Sequence, residues 1–252
     1  MSDWTFQGHP AVVAHRGFAG RYPENTVLAL AAAVAYGARF LEFDIQLTRD
    51  GVPVVCHDET LERCGNDSRS VLDVDWAQLR GTPVGEAARF GNKFAGVTIS
   101  SLAEVAEHLN LWPSTTSFVE IKEHSTAQFG VRETVAAVLE ALTELKRPYV
   151  ILSFVDEVIP EARRQGAELT GWVIRDWNDA SRATLGALNP DYVYCNQDKI
   201  RRDEALWPGS WEWVLYEVTQ QKDADHWRRA GAAMIESMQQ TNFIEKNRES
   251  KA

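Results

Sequence analysis

The chain has little cysteine: Cys56, Cys64 and Cys195 are three among 252 residues. They are too few and too scattered for a disulfide framework or a zinc finger. A reduced, cytoplasmic setting is the simplest expectation. No apolar stretch approaches the ~20 residues of a membrane helix. Residues 1–10, MSDWTFQGHP, carry neither a basic stretch nor an apolar run, so no signal peptide is expected. Internal repeats, low-complexity segments and a Pro/Gly/Ser-rich linker are all missing. One domain spanning residues 1–252 is therefore expected. Positive charge is scarce as well: 26 basic side chains face 36 acidic ones, a net charge of −10. That balance counts against nucleic-acid partners, stable membrane insertion and anionic membrane surfaces. It leaves a small soluble molecule as the expected partner.

The rest of the composition is that of a soluble globule, 44% hydrophobic and 25% charged, at a size that supports a core without staples. Short β-rich runs recur, many followed by helical signals. Candidate strands are Ala11–His15, Phe40–Leu47, Val52–His57, Ser117–Lys122, Tyr149–Phe154, Leu169–Ile174, Tyr192–Cys195, Trp213–Val218 and Ala233–Glu236. Helical spacing or helix-starting residues mark Thr26–Tyr36, Val131–Leu145, Asp156–Gln165, Asp179–Leu188 and Asp223–Ala230. Alternating βα units at this length predict an α/β fold, a TIM-like (β/α)8 barrel. Nine candidate strands are one too many for it. Arg49-Asp50-Gly51 is too short for a helical crossover. So either one run is an accessory strand or the barrel is irregular. Residues 61–97, with glycines, a proline and only short apolar runs, read as a segment inserted over one rim.

Four segments carry chemistry. In AHRGFAGRYPENT, His15 and Arg16 end a strand, where barrel enzymes build their sites. In LEFDIQL, Glu42 and Asp44 are two apart and share one strand face. If that face is the barrel interior, two like charges are buried together, which is costly without a cation or donors. In VVCHDETLER, His57 ends another run, and Cys56 points the other way, which argues against a Cys-His nucleophile. In SFVEIKEH, Glu120 and Lys122 share a face. Each segment alone suits a structural role. Together they supply three carboxylates, two histidines, an arginine and a lysine at strand ends. Carboxylates without thiolate suit Mg²⁺, Ca²⁺ or Mn²⁺. Histidines serve as acid and base, and Arg16 and Lys122 neutralise phosphate oxygens. That set is equipment for metal-assisted hydrolysis of a phosphate ester.

The order His-Arg-Gly, Pro-Glu-Asn-Thr, Glu-x-Asp, His-Asp and Glu-Ile-Lys resembles the glycerophosphodiester phosphodiesterase family, its bacterial cytoplasmic members above all. The likeness runs from Val12 to Phe154 and includes Leu152-Ser153-Phe154. It implies a TIM-like barrel that hydrolyses glycerophosphodiesters, such as glycerophosphocholine, to sn-glycerol 3-phosphate and an alcohol. It implies one divalent cation on Glu42, Asp44 and Glu120, an acid–base pair in His15 and His57, and phosphate binding by Arg16 and Lys122. Either water or the glycerol 2-hydroxyl serves as nucleophile. Competing expectations are a phospholipase C or lysophospholipase D type of barrel, and a barrel that binds a phosphodiester without cleaving it. The late third departs from the family pattern. Tyr216-Glu217-Val218-Thr219 replaces Trp/Tyr-Thr-Val-Asn, and Ile235-Glu236-Ser237-Met238 stands where Thr-Asp is usual. Its tryptophans are expected to pack. The sharper alternative has some of them contact a choline-like headgroup.

Overall fold

The computed structural model describes residues 11–244. The amino-terminal residues 1–10, read above as lacking a signal peptide, lie outside them. Eleven strands form in chain order. They are β1 (Ala11–Ala14), β2 (Phe40–Leu47), β3 (Pro53–Val55), β4 (Thr60–Leu61), β5 (Asp67–Ser70) and β6 (Thr116–Ile121). The rest are β7 (Tyr149–Ser153), β8 (Thr170–Ile174), β9 (Tyr192–Asn196), β10 (Glu212–Tyr216) and β11 (Met234–Ser237).

Eight of these run parallel and close: β1, β2 and β6 to β11, with β1 paired to both β11 and β2. The surplus ninth candidate is β3. It lies antiparallel on the far end of β2, Leu47 opposite Pro53 and Ile45 opposite Val55, as the three-residue turn at Arg49–Gly51 requires. The fold is a TIM-type barrel with one accessory strand.

Strand alternation sorts the side chains. Val13, Phe40, Phe118, Val150, Leu152, Val173, Tyr192, Tyr194, Val214 and Met234 pack together inside the barrel. Their alternating neighbours, among them Leu41, Phe43, Ile45, Val119 and Ile121, pack outward with the covering helices. The period of two then places Glu42 and Asp44, Glu120 and Lys122, and Glu236 on the interior face at the carboxyl ends of their strands. The sequence left that facing conditional; the apolar sorting decides it.

The expected helices form, Asp179–Leu188 with the expected ends and the others with shifted ones: Val27–Ala35, Val131–Ala141, Val158–Arg164 and Gln221–Arg229. Two multi-turn helices were missed, Leu102–Leu109 and Glu123–Phe129, along with the one-turn helices Glu62–Gly65, Trp76–Leu79, Ala87–Phe90 and Thr241–Ile244. Ser101 and Glu104 form a capping box at the start of Leu102–Leu109. The inserted segment folds on a small core of its own, with Val54, Leu61, Val71, Leu79, Val84 and Ile99 buried together. No helix of the described residues is long and apolar enough to cross a membrane. The late tryptophans pack: Trp177 and Trp207 stack at 3.8 Å, and the Trp213 indole N–H donates to the Trp207 carbonyl at 3.0 Å.

The helix Val27–Ala35 fixes the loop that carries the first motif. Thr26 caps it, its Oγ1 accepting from the Ala29 N–H at 3.1 Å and donating to the Pro23 carbonyl at 2.7 Å. A lost cap of this kind costs about 1 kcal/mol. Thr26→Ala should therefore lower Tm by roughly 2–4 °C in a thermal melt, with the fold retained.

Candidate active site

The first motif turns sharply. Arg16 and Gly17 both have positive φ, +53° and +74°. A Cβ on Gly17 would stand 2.7 Å from the Ala29 backbone carbon, so the turn docks on the helix only through glycine. The Arg16 N–H then donates to Glu42 Oε2 at 2.9 Å. Its guanidinium pairs with Glu24 at 2.8 Å and stands 3.3 Å from Asp44. Asn25 seals the same corner: its side chain donates to Asp44 Oδ2 at 2.8 Å and accepts from the Asp44 N–H at 3.0 Å.

The seven residues singled out in the sequence converge on one end of the barrel. Lys122 Nζ lies 2.6 Å from Glu120 and 3.2 Å from Asp44. His15 Nε2 stands 3.9 Å from Glu42 Oε2. His57, just beyond β3, holds Asp58 through Nδ1 at 2.6 Å. A cleft of about 600 Å³ opens there, lined by His57, Arg63, Lys122, His124, Phe154 and Arg175 among others. No tryptophan is among the residues that line this cleft. Lys122 and Arg175 both face the Phe154 ring, at 5.8 and 4.7 Å from its centroid.

Electrostatics divide the carboxylates. Burial raises Glu42 well above the usual carboxylate range, and Asp44, Glu236 and Glu120 push the same way. Burial also raises Glu120, against the pull of Lys122. Asp44 goes the other way: burial would raise it, but Lys122 and Arg16 hold it far below. Burial would lower Lys122, yet Asp44 and Glu120 keep it above its ordinary value. Burial, helped by Arg16, lowers His15 to about 3. Burial lowers His57 too. Both shifts favour the neutral ring.

Glu42, Asp44 and Glu120 each bring one oxygen within 4.8 Å of the others. Glu42 Oε1 is buried with no hydrogen-bond partner. An all-oxygen trio with an open, desolvated lone pair fits a hard divalent cation. A second group, Glu24, Cys64 and Glu86, does not. Glu24 is spent on Arg16 and Arg63, and Glu86 is spent on Arg89 and the Glu24 N–H. Burial pushes the Cys64 thiol up to about 12, so it offers no thiolate.

Sequence reasoning assigned no role to four residues that complete this centre. Asn25 and Glu24 lie inside Pro-Glu-Asn-Thr, and Asp58 follows His57, so the motifs already contained them. Glu236 had no such signal. It stands on the interior face of β11, 3% exposed, with Oε2 3.8 Å from His15 Nε2 and Oε1 unpartnered. Only barrel closure, which seats β11 beside β1, brings it to the site. Asn196 caps the turn after β9 by accepting from the Asp198 N–H at 2.9 Å.

A closed parallel barrel with carboxylates, histidines and paired cations at the carboxyl ends of its strands defines a barrel enzyme equipped for phosphate esters. The model of the glycerophosphoryl diester phosphodiesterase family matches residues 15–163, more than half of the chain. The chain belongs to that family. It is 31% identical over 187 residues to a glycerophosphodiester phosphodiesterase of Caldanaerobacter subterraneus subsp. tengcongensis, covering 72% of this chain and 75% of that protein. It is 32% identical over 170 residues to human glycerophosphodiester phosphodiesterase 1, where the match spans 67% of this chain but half of the human protein. Among solved structures, an Oleispira antarctica phosphodiesterase in complex with the product sn-glycerol-3-phosphate superposes with a TM-score of 0.81. At 21% identity, with 96% of this chain and 97% of that one covered, it shares the fold.

Proposed function

We propose that the chain hydrolyses small glycerophosphodiesters, such as glycerophosphocholine and glycerophosphoethanolamine, to sn-glycerol 3-phosphate and an alcohol. Family membership makes it a phosphoric diester hydrolase. The convergence of Glu42, Asp44 and Glu120 beside Arg16, Lys122 and His15 carries the assignment of the site. These three carboxylates would hold one divalent cation, Mg²⁺ or Ca²⁺ by ligand chemistry, with Mn²⁺ also suited. Such a cation supplies Lewis-acid stabilisation of charge on the phosphate oxygens.

The chain's own groups do the rest. Arg16 and Lys122 are locked by carboxylates and keep their charge, so they bind and orient the anionic phosphate. Asp58 at His57 Nδ1 favours the tautomer with the proton there, which leaves Nε2 to take or return a proton. His15 supplies the second proton-transfer group. The three unpaired thiols support a reduced, cytoplasmic setting.

The test is product analysis. Purified protein with Mg²⁺, Ca²⁺ or Mn²⁺ should release glycerol 3-phosphate from glycerophosphocholine, and EDTA should stop the release. Lysophosphatidylcholine should be the poorer substrate. Faster turnover of the lysolipid, or full activity in metal-free protein, would overturn the reading.

A further inference from the structure

We propose that Arg63, supplied by the inserted segment, is a positioning residue that sets His57 and Arg16 at the same time, each through its own carboxylate. This rests on the roles given to His57 and Arg16 above. The contacts form one unbroken chain. His57 Nδ1 meets Asp58 Oδ1 at 2.6 Å, and Arg63 Nε donates to the other oxygen of Asp58 at 2.7 Å. The two terminal nitrogens of Arg63 donate to the two oxygens of Glu24 at 2.8 and 2.7 Å. Glu24 Oε1 also accepts from Arg16 at 2.8 Å. Every nitrogen of the Arg63 guanidinium is committed to a carboxylate.

The chain could not be built with a simpler side chain. A guanidinium offers donors in a rigid planar fork that can serve two carboxylates in two directions; an ammonium is a point charge that cannot span both. Glu24 is 4% exposed at its side chain, so without Arg63 it keeps only the Arg16 contact for a buried charge. Asp58, one-third exposed, would lose the group that fixes its second oxygen and swing with His57. Arg63 is itself held by the inserted segment. It sits in the one-turn helix Glu62–Gly65, next to buried Leu61, and a Cβ on Gly65 would stand 2.3 Å from the Pro83 carbonyl oxygen. The insertion thereby reaches His57 and Arg16 through this side chain, while its Glu86 holds the Glu24 backbone N–H. Three of the five Arg63 N–H groups are committed to Asp58 and Glu24, which fits a positioning role.

Steady-state kinetics on glycerophosphocholine with saturating metal test this. Misplacement of a proton-transfer group costs up to about 10²-fold in rate. Arg63→Gln should lower kcat by about 10- to 100-fold and raise KM several-fold, because His57 and Arg16 loosen together. Arg63→Lys should rescue neither parameter. Arg63 is 45% exposed at its side chain, so guanidinium at about 10–50 mM should restore part of kcat to Arg63→Ala. A merely structural role predicts no such rescue. Asp58→Asn and the double variant Arg63→Gln/Asp58→Asn complete a cycle. The double variant should lose no more kcat than the worse single variant. Multiplicative losses, or Arg63→Gln within threefold of wild type, would overturn the proposal. If Arg63→Ala fails to fold, Arg63→Gln and the cycle decide alone. An inactive wild-type protein would instead refute the activity itself.

Discussion

Replacing His57 by alanine should lower kcat by about 10²–10⁴-fold, the range for a lost general acid or base, with metal binding retained. His57 has hydrogen bonds to none of Glu42, Asp44 and Glu120; its partners are Asp58 through Nδ1 and Gln46 through its carbonyl. KM should change little if, as proposed, Arg16 and Lys122 bind the phosphate from just past the ends of β1 and β6. His15→Ala should cost a similar factor in kcat but disturb more, because His15 lies between Glu42 and Glu236 at 3.9 and 3.8 Å. Removing that ring leaves two buried carboxylates facing each other with less between them, so metal affinity should shift as well. The two variants are thus told apart by a metal titration rather than by rate. Asp58→Asn should fall between wild type and His57→Ala, since the ring survives with its tautomer no longer favoured. No thiol can substitute: Cys56 is buried and burial raises it well above the ordinary thiol value. Activity of His57→Ala within tenfold of wild type would remove His57 from the mechanism.

Much of this site was legible in the residues because its chemistry is local. Glu42 with Asp44, and Glu120 with Lys122, sit two apart on strands, so a shared face follows from the period of two. The bridging groups were less visible. Arg63 reaches Glu24 across 39 positions, and Asn25 reaches Asp44 across 19. Such pairings follow from how loops pack over the rim, which no periodicity reports. Glu236 is the clearest case. On sequence grounds it belonged to a departing third, replacing Thr-Asp. In the barrel it is a fourth interior carboxylate beside Glu42, Asp44 and Glu120. The nine strands of the main sheet were readable as β-rich runs, the ninth being surplus to the barrel, whereas β4 and β5 of the inserted segment were not among the candidates. What alternation along one strand could not say was which face looked inward; that came from ten apolar side chains drawn from eight strands filling the interior below the site.

Removing divalent cations should abolish turnover and also lower Tm, by an amount that grows with pH. In the metal-free protein, burial and the neighbouring acids raise Glu42 and Glu236 well above the usual carboxylate range. Such a group keeps in the fold a proton that the unfolded chain has released. Its stabilising contribution is whole below the unfolded value of about 4.5 and is lost as pH rises through the raised folded value. His15 works in the opposite sense. Burial and Arg16 lower it to about 3 from 6.5, so between those values rising pH favours the fold. Above pH 6.5 that gain is complete, and the buried carboxyls set the remaining slope. Chelator-treated protein should therefore melt at progressively lower temperature from about pH 6.5 upward. A bound cation offsets the crowded negative charge and cancels much of that slope. At a hundredfold excess over Kd, binding alone adds about 2.7 kcal/mol. At about 2–4 °C per kcal/mol for a chain of this size, that is roughly 5–10 °C. Glu42→Gln should lose turnover and most of the metal-induced gain, yet in chelator it should melt no lower than wild type above pH 7, because the buried carboxyl that folding must keep protonated is gone. A wild-type Tm indifferent to EDTA across this range would mean that Glu42, Asp44 and Glu120 hold no cation.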